Sequence, residues 1–389
     1  MALSVALVFP YAPPERGACS IRGASIKDYF EQQGARVVIF SPERNASSAT
    51  GVLRYSGLRE LRRCLRAADP DIIIGSSPPI THSVFALVWG FVHGKRRFLD
   101  ARDPWTIQLE HLGTYRKKPF KLLFYRFLER LGYLLSERIF VVTNSIGDRF
   151  VRQGASPQKI CLAPSGTLPE KFRFDASLRT QFRRRWGIDD NRPVLIFSGE
   201  FMGLGLDDVV KAIAPAILEK NALLVLLIPH DAREKEAADE IERLAIQAGL
   251  AGHVRVEDIR PMELDEVNAR FCAADFGLTI MPNGWDYCIP AKAYDYAGTG
   301  LRTIGFGPPQ SDLKEWLEKF NTGHYCGSLT ELVQAIRDEI AHTVSDSERI
   351  KLSNLARLDF DRRSTAKILW EKIQPAPSPV NSQSTGLPR

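Results

Sequence analysis

The chain of 389 residues is too long for one ordinary hydrophobic core, so two domains are expected. Its hydrophobic share of 44% and charged share of 25% are ordinary for a soluble globular protein. The net charge of +6 permits a nucleotide, a phosphorylated substrate or an anionic membrane surface as partner without requiring one, and no nucleic-acid partner is expected.

Cysteine and histidine usage argues against two further classes. The six cysteines are scattered without a C-x-x-C pair, which favours reduced thiols over a disulfide scaffold. The seven histidines form no metal-binding pattern, so no metal is expected. The longest apolar stretch, residues 83–92, is too short to span a bilayer, and no cleavable signal is recognised. We therefore expect a cytoplasmic protein, with peripheral contact to a membrane as an option.

The first half of the chain alternates short apolar segments with segments typical of helices. The predicted strands are 3–9, 36–40, 71–75, 97–101, 138–143 and 159–163, and the predicted helices are 20–33, 57–68, 81–92, 120–135 and 145–154. Such alternation predicts a parallel sheet covered on both faces.

The pattern restarts in the second half. The predicted strands are 193–198, 222–228, 253–256 and 275–281, and helices are predicted at 206–219, 232–248, 263–274, from 290, and at 312–320, 329–341 and 347–372. The expected fold is α/β, with two Rossmann-like doubly wound sheets facing a cleft. The expected divisions are a first domain at 1–170, a linker at 171–191, a second domain at 192–350, a helical region at 351–374 that crosses back, and a disordered tail at 375–389.

Residues 273–307 combine a buried strand, a polar loop and a helix opened by Pro290. Lys292 and Asp295 are three residues apart and share a helix face. A cation at a helix N-terminus can hold a phosphate, and a carboxylate can accept ribose hydroxyls. The alternative is an ordinary surface ion pair. Because the two residues follow a strand and a loop, we favour the interpretation that they form half of a nucleotide-sugar site.

Two further loops follow strand ends, where doubly wound sheets bind ligands. Gly199 and Gly203 lie in SGEFMGLG, where glycines would let the backbone approach a diphosphate, although a tight turn without ligand fits equally well. His230 also follows a strand and is predicted to line the cleft.

The motif DARDPW places Asp100, Arg102 and Asp103 directly after a strand of the first half. A carboxylate beside an arginine suits orienting a hydroxyl or holding a phosphate. A structural ion pair that caps the next helix is an equally good interpretation.

Residues 115–130 are strongly basic and carry apolar residues at spacings of three and four. We predict that the apolar stripe belongs to the core. The basic side could rest on anionic lipid, and a plain solvated face is the alternative.

Together these motifs resemble a GT-B glycosyltransferase of the family 4 type, over nearly the whole chain to about residue 373. The resemblance rests on FPYAPPERGA, on DARDPW, on the phrase at 151–167 and above all on AADFGLTIMP…IPAKAYDYAGTG. DARDPW is similar to a phrase in members that build bacterial surface polysaccharides.

The resemblance implies a nucleotide-diphospho-sugar donor bound in the second half and a glycan or lipid-linked acceptor in the first. It implies hexosyl or N-acetylhexosaminyl transfer with retention and no required metal or other cofactor. Lys292 would neutralise the departing diphosphate, and Arg16, Gly17 and Arg102 would face the acceptor. The implied catalytic residues are Asp100, Arg102, Asp103 and Lys292, and the implied donor-binding residues are Gly199, Glu200, Gly203, His230, Asp286, Tyr287, Pro290, Lys292 and Asp295.

Three positions depart from the family pattern. Glu200 and Leu204 stand about where the family has an arginine and a lysine. Tyr287, beside Asp286, stands where an acidic residue is usual, and Pro-Ser-Gly replaces Pro-Asn-Gly at 164–166. Two alternatives therefore stay open: a catalytically silent GT-B protein that binds a glycan or a partner, and a sugar-nucleotide epimerase.

Overall fold

A computed structural model of the chain describes residues 2–15, 17–43, 49–111, 113, 118–199, 205–229, 234–259, 262–340 and 344–374. Two parallel sheets of seven and six strands organise this part of the molecule, each covered by helices. This confirms the predicted α/β class with two Rossmann-like sheets. No helix in the described ranges is long and apolar enough to cross a membrane.

The first sheet has the strand order β3-β2-β1-β4-β5-β6-β7. Its strands are β1 (Ser4–Val8), β2 (Arg36–Pro42), β3 (Val52–Tyr55), β4 (Ile72–Ser77), β5 (Arg96–Ala101), β6 (Arg138–Val141) and β7 (Ile160–Leu162). Its helices are α1 (Ala18–Gln32), α2 (Leu58–Ala68), α3 (Ile80–Val92), α4 (Trp105–His111), α5 (Pro119–Leu135) and α6 (Asn144–Arg152), with a short 3₁₀ helix at Pro157–Lys159.

The second sheet has the order β10-β9-β8-β11-β12-β13. Its strands are β8 (Val194–Ser198), β9 (Leu223–Ile228), β10 (Val254–Asp258), β11 (Phe276–Ile280), β12 (Arg302–Phe306) and β13 (Gly323–Cys326). Its helices are α8 (Leu206–Glu219), α9 (Glu234–Gln247), α10 (Leu264–Ala273), α11 (Ala291–Gly298), α12 (Asp312–Phe320) and α13 (Leu329–Ile340). Strands β3, β12 and β13 are absent from the prediction. β3 and β13 are four-residue edge strands with only one buried residue each, whereas β12 is a five-residue strand with three buried residues.

The segment between the sheets is not simply a linker. Helix α7 (Ala176–Trp186) lies within the predicted linker at 171–191. Its Phe182 and Trp186 pack in a hydrophobic core of the second domain. Arg183, on the same helix, is fully buried and donates a hydrogen bond of 2.9 Å to the carbonyl of Ala273. The basic composition that suggested a linker therefore belongs partly to a packed helix whose arginine binds backbone carbonyls.

The last two helices, α14 (Asp346–Asp359) and α15 (Arg362–Ile373), return the chain to the first sheet. Ala366, Leu369 and Ile373 of α15 belong to the core on which α1 packs. The ring of Trp370 meets Phe30 of α1 edge-on, with 5.0 Å between centroids. Helix α15 thus packs on α1.

Helix α5 corrects the prediction for its apolar stripe. Phe120, Leu123, Phe124, Phe127 and Leu134 are exposed, not part of the core. The helix is held instead by its opposite side, where Glu129, Gly132 and Tyr133 are buried. Spacing alone reveals that a stripe exists, but it does not say which stripe faces the protein.

A buried carboxylate joins α5 to α4. The carboxylate of Glu129 accepts hydrogen bonds from the N–H of Thr106 at 3.1 Å and from the hydroxyl of Thr106. Burial raises the pKa of Glu129 to about 7, against the opposing effect of these hydrogen bonds. The carboxyl group is therefore one whose charged form is disfavoured in the folded protein.

We expect Glu129→Gln to flatten the pH dependence of stability. Between about pH 4.5 and 7 the unfolded state loses the Glu129 proton while the folded state keeps it, so the free energy of unfolding falls as pH rises. The loss amounts to up to about 3 kcal/mol for a shift of this size. Glutamine cannot titrate, so the variant should lose this slope, as urea unfolding across that range would show.

Glu371→Gln, on the exposed side of α15, is the matched control and should keep the wild-type profile. Parallel profiles for Glu129→Gln and the wild type would contradict the assignment of the slope to Glu129.

Candidate active site between the two domains

A cavity of about 950 Å³ lies between the two domains, beside the carboxyl ends of both sheets. Helix α1 forms one wall, and the end of β8 with the starts of α10 and α11 forms the other. The lining residues that matter for the site are Gly17, Ser20, Ser198, Glu263, Lys292, Asp295, Arg362 and Arg363. A cavity of this size between domains is a default place for a ligand.

Lys292 lies at the N-terminus of α11. The helix begins at Ala291, and Pro290, which was predicted to open the helix, is its N-cap residue. Lys292 is therefore in the first turn. The Lys292 ammonium lies over the ring of Phe197, 3.9 Å from its centroid. A fixed cation and free helix N–H groups at the end of a strand form an arrangement suited to an anion.

Gly199 makes room for this lysine. Its φ of 122° is a backbone conformation that favours glycine. A Cβ atom there would lie only 3.1 Å from Nζ of Lys292. The structure therefore gives a second reason for a glycine that the sequence alone connected only with backbone approach to a ligand.

Asp295 lines the cavity but is also tied to the segment that connects the domains. Its Oδ1 accepts a hydrogen bond of 2.8 Å from the hydroxyl of Thr167. Burial raises the pKa of Asp295 to about 6, while the charge of Arg362 opposes this rise. The carboxylate is thus oriented by Thr167 before any ligand arrives.

Arg362 and Arg363 line the cavity although the sequence interpretation did not single them out. Arg362 is the first residue of α15 and is buried, with Nε and Nη2 donating to the carbonyls of Ser165 and Gly166 at 3.1 and 2.7 Å. Their only signal in the sequence is a pair of arginines at the start of the last helix. Such a pair is common on helix surfaces, and only the return of α15 to the first domain brings it here.

Asp100 is held in a buried ion pair, and its predicted catalytic role stays a prediction. It is fully buried, and its Oδ1 accepts hydrogen bonds from Nε and Nη2 of Arg22 at 3.1 and 2.7 Å. The hydroxyl of Ser76 donates to Oδ2 at 3.2 Å. Asp100 is not among the residues that line the cavity. The structural alternative holds, but the partner is a distant arginine and not the next helix.

Arg102 and Asp103 lie at the same strand end and outside the residues that line the cavity. Arg102 donates from Nη2 to the carbonyl of Pro78 at 2.9 Å and from Nε to the hydroxyl of Ser76 at 3.2 Å. Burial raises the pKa of Asp103 to about 6, with Arg102 acting against it. These contacts position the turn, and the catalytic roles predicted for both residues stay predictions.

Asp286 and Tyr287 join the domains instead of lining the cavity. Asp286 is paired with Arg149 of α6 at 2.5 Å. Tyr287 is buried in the first-domain core, and its carbonyl accepts a hydrogen bond of 2.7 Å from the hydroxyl of Thr143. The guanidinium of Arg149 lies 4.9 Å from the centre of the Tyr287 ring. The loop that carries these two predicted donor-binding residues is thus a contact between domains in this structure.

The remaining predicted residues divide into two groups. Gly17 is the N-cap of α1, has a φ of 124° and lines the cavity on the wall opposite Lys292, and its acceptor-binding role stays a prediction. Arg16, Glu200, Gly203 and His230 lie outside the described residues. Among the residues that are described, no group of three or more His, Cys, Asp or Glu side chains could hold a metal ion.

We expect Asp100→Asn to lower the free energy of unfolding. The change leaves Arg22 buried without its counter-charge, and breaking one side of such a pair typically costs about 3–5 kcal/mol. Urea unfolding of Asp100→Asn should show a loss of this order. Asp69→Asn, which removes an exposed partner of Lys95, should leave the free energy of unfolding close to that of the wild type. Equal effects of the two substitutions would contradict the structural role of Asp100.

Comparison with known proteins agrees with this architecture. Residues 3–166 match the family model described as "Glycosyl transferase 4-like domain". No curated protein matches the sequence of the chain. The family match covers the first domain, and solved structures extend the likeness to the second.

Three solved structures share the fold over nearly their whole length. Sucrose-phosphate synthase from Thermosynechococcus elongatus is 12% identical with a TM-score of 0.73, over 95% of this chain and 98% of that chain. HepE from Anabaena, solved with UDP and glucose, is 13% identical with a TM-score of 0.73, over 95% of this chain and 99% of that chain. WaaG, a glycosyltransferase involved in lipopolysaccharide biosynthesis, is 16% identical with a TM-score of 0.69, over 96% of this chain and 100% of that chain. Residues 3–166 therefore match a glycosyl transferase 4-like domain, and the chain as a whole has the GT-B fold of these solved structures.

Proposed function

We propose that the chain is a glycosyltransferase that moves a sugar from a nucleotide-diphospho-sugar to a glycan or lipid-linked acceptor. The observation that carries this proposal is Lys292, held at the N-terminus of α11 beside Gly199 in a cavity between the two domains. HepE, which shares the fold, was solved with UDP and with UDP-glucose. A nucleotide-sugar donor in the same cleft is the simplest extension.

The proposed chemistry depends on charge neutralisation. As the bond between the anomeric carbon and the diphosphate breaks, negative charge develops on the leaving oxygen. The Lys292 ammonium and the N–H groups of α11 would stabilise that charge, so no metal ion is required. We further propose transfer with retention at the anomeric carbon, of a hexosyl or N-acetylhexosaminyl group, which proton NMR of the freshly formed product would test.

The remaining cavity residues have assigned places in this proposal. Asp295 would contact the ribose, since it lines the cavity and its carboxylate is oriented by Thr167. The acceptor would enter on the side of Gly17 and α1. The site of action would be the cytoplasmic face of a membrane or the cytoplasm, in polysaccharide or glycoconjugate synthesis.

One alternative is favoured by a specific feature of the sequence. Glu200 stands about where the family has a cation, and an acid beside a diphosphate weakens its binding. A catalytically silent GT-B protein would show no UDP or GDP binding in calorimetry at high nucleotide concentration. An epimerase would convert its sugar nucleotide without any acceptor, so leaving out the acceptor separates it from a transferase.

We expect Lys292→Ala to lower kcat/KM for sugar transfer by roughly 10²–10³-fold, as for the removal of one strong charge-stabilising group. Mass spectrometry of reactions with a panel of nucleotide sugars and acceptors would identify the donor and measure the rate. Lys211→Ala, on the exposed side of α8, removes an equal charge away from the cavity and should leave the rate unchanged. Full activity of Lys292→Ala would disprove the site assignment while leaving the fold intact.

We expect Gly199→Ala to raise the Kd for the nucleoside diphosphate about tenfold, equal to 1.4 kcal/mol. The added methyl group would meet Nζ of Lys292 and displace it. Gly187→Ala is the matched control, since Gly187 also has a positive φ of 69° but open space around its Cβ position. Both substitutions strain the backbone, so calorimetry should find weaker nucleotide binding only for Gly199→Ala. Equal Kd values for the two variants would contradict the role of Gly199.

A further inference from the structure

Helices α5 and α3 carry an exposed apolar surface in the described part of the molecule, where the guanidinium of Arg97 lies 5.3 Å from the centre of the Phe91 ring. We define the apolar patch as Phe120, Leu123, Phe124, Phe127 and Leu134 of α5 with Phe91 and Val92 of α3, all of which are exposed. Phe120 is 86% exposed and Leu134 is 73% exposed. Proteins that act in water rarely expose so many large apolar side chains in one place unless something binds there.

The patch is continuous by helix geometry. The five α5 residues are separated by three, one, three and seven positions, which places them along one side of the helix. From Phe120 to Leu134 this side extends about 21 Å. Helix α3 packs against α5, and its last turn carries Phe91 and Val92. The patch is therefore an elongated apolar strip and not a scatter of single side chains.

Cations border the patch. Lys118, Lys121, Arg126 and Arg130 are exposed in or next to α5. The one acid of α5, Glu129, is buried and faces Thr106. In the sequence, Arg116 and Lys117 come immediately before this group. Arg126 is paired with Glu110 of α4, and Lys118, Lys121 and Arg130 add further positive charge at the edge of the apolar side chains.

This combination selects among possible occupants. A second copy of the chain packed patch to patch would bring the same cations against one another, which is unfavourable. A lipid bilayer with anionic headgroups offers both an apolar interior for the rings and negative charge for the lysines and arginines. We propose that the apolar patch inserts into the interface of an anionic membrane, with α5 lying in the membrane plane.

The proposal changes which side of α5 meets the lipid. The sequence interpretation assigned contact with lipid to the basic side and placed the stripe in the core. In the structure the stripe itself is the inserted part, and the basic residues lie at its border. Because the rings add apolar burial to the electrostatic attraction, binding should persist in part at high salt.

Side-chain contacts also connect α5 to the residues that follow the carboxyl end of β5. Glu129 of α5 binds Thr106, and the ring of Tyr125 meets Trp105 edge-on at 6.3 Å between centroids. Trp105 and Thr106 immediately follow the turn at the carboxyl end of β5. A membrane bound by α5 would therefore lie beside the end of the sheet that borders the cavity. Membrane binding itself does not depend on the proposed transferase activity.

Sedimentation of the full chain with lipid vesicles tests the proposal. The wild type should bind vesicles that contain phosphatidylglycerol and should bind pure phosphatidylcholine vesicles much more weakly. Phe120→Ser with Phe127→Ser should weaken binding to the anionic vesicles by at least about tenfold, since each ring loses apolar burial. Lys118→Glu with Arg130→Glu should weaken it by roughly fivefold or more.

The matched control is Ile350→Ser with Leu358→Ser. Both residues are exposed on α14, and Leu358 is 79% exposed, so the pair removes similar apolar surface elsewhere. The control should bind the anionic vesicles as the wild type does. Thermal unfolding of every variant should match the wild type, because none of the changed side chains is part of a core.

Three results would overturn the proposal. The wild type could fail to bind anionic vesicles, or the phenylalanine variant could bind them as tightly as the control. Light scattering could show a wild-type dimer that Phe120→Ser with Phe127→Ser converts to a monomer, which would assign the patch to a second copy. A monomeric wild type that binds anionic vesicles through these rings would establish it. Since activity is not the readout, loss of the proposed transferase function would leave this result unaffected.

Discussion

The two halves of the molecule are held by a short irregular segment whose backbone carbonyls are bound by two buried arginines. Arg22 of α1 donates to the carbonyls of Ala163 and Pro164 at 3.1 and 3.2 Å. Arg362 of α15 donates to those of Ser165 and Gly166. A buried segment outside regular structure must find partners for its polar groups, and side chains from both ends of the chain supply them here. The position of the second domain relative to the first depends on this arrangement.

The same constraint explains why acidic residues that resemble catalytic groups have structural contacts. Arg22 can be buried only with a counter-charge, and Asp100 supplies it. Thr167, at the end of the connecting segment, donates to Asp295 through its hydroxyl and pairs through its backbone with the start of α15. Asp295 therefore belongs both to the cavity wall and to the connection between domains. A ligand that contacts Asp295 would touch the group that orients the second domain.

Local patterns predicted what depends on local structure. Alternating apolar strands and helices revealed two parallel sheets, and the strand-loop-helix order around Lys292 placed a cation at a helix N-terminus. Asp100 and Asp286 lie in ion pairs outside the cavity lining, and the sequence could not predict this because their partners, Arg22 and Arg149, are 78 and 137 residues away. An acid that will pair with a buried arginine looks the same in a sequence as one that will meet a substrate. The stripe of α5 shows the same limit, since periodicity cannot tell a face that meets the protein from one that meets another partner.

The charge around the cavity bears on the missing family cations at Glu200 and Leu204. Arg362 uses Nε and Nη2 on the connecting segment, and Nη1 is buried without a hydrogen-bond partner among the described residues. It can therefore act on a bound anion through its field but not through a bond from those two nitrogens. Arg363 is more exposed and is paired with Asp361 at 2.9 Å. All three residues line the cavity in the first turn of a helix, and Lys292 is the one that lies beside Gly199 at the end of β8. If a diphosphate binds here, the strongest direct contact should come from Lys292, with the arginines supplying a background of positive potential that partly replaces the lost family cations.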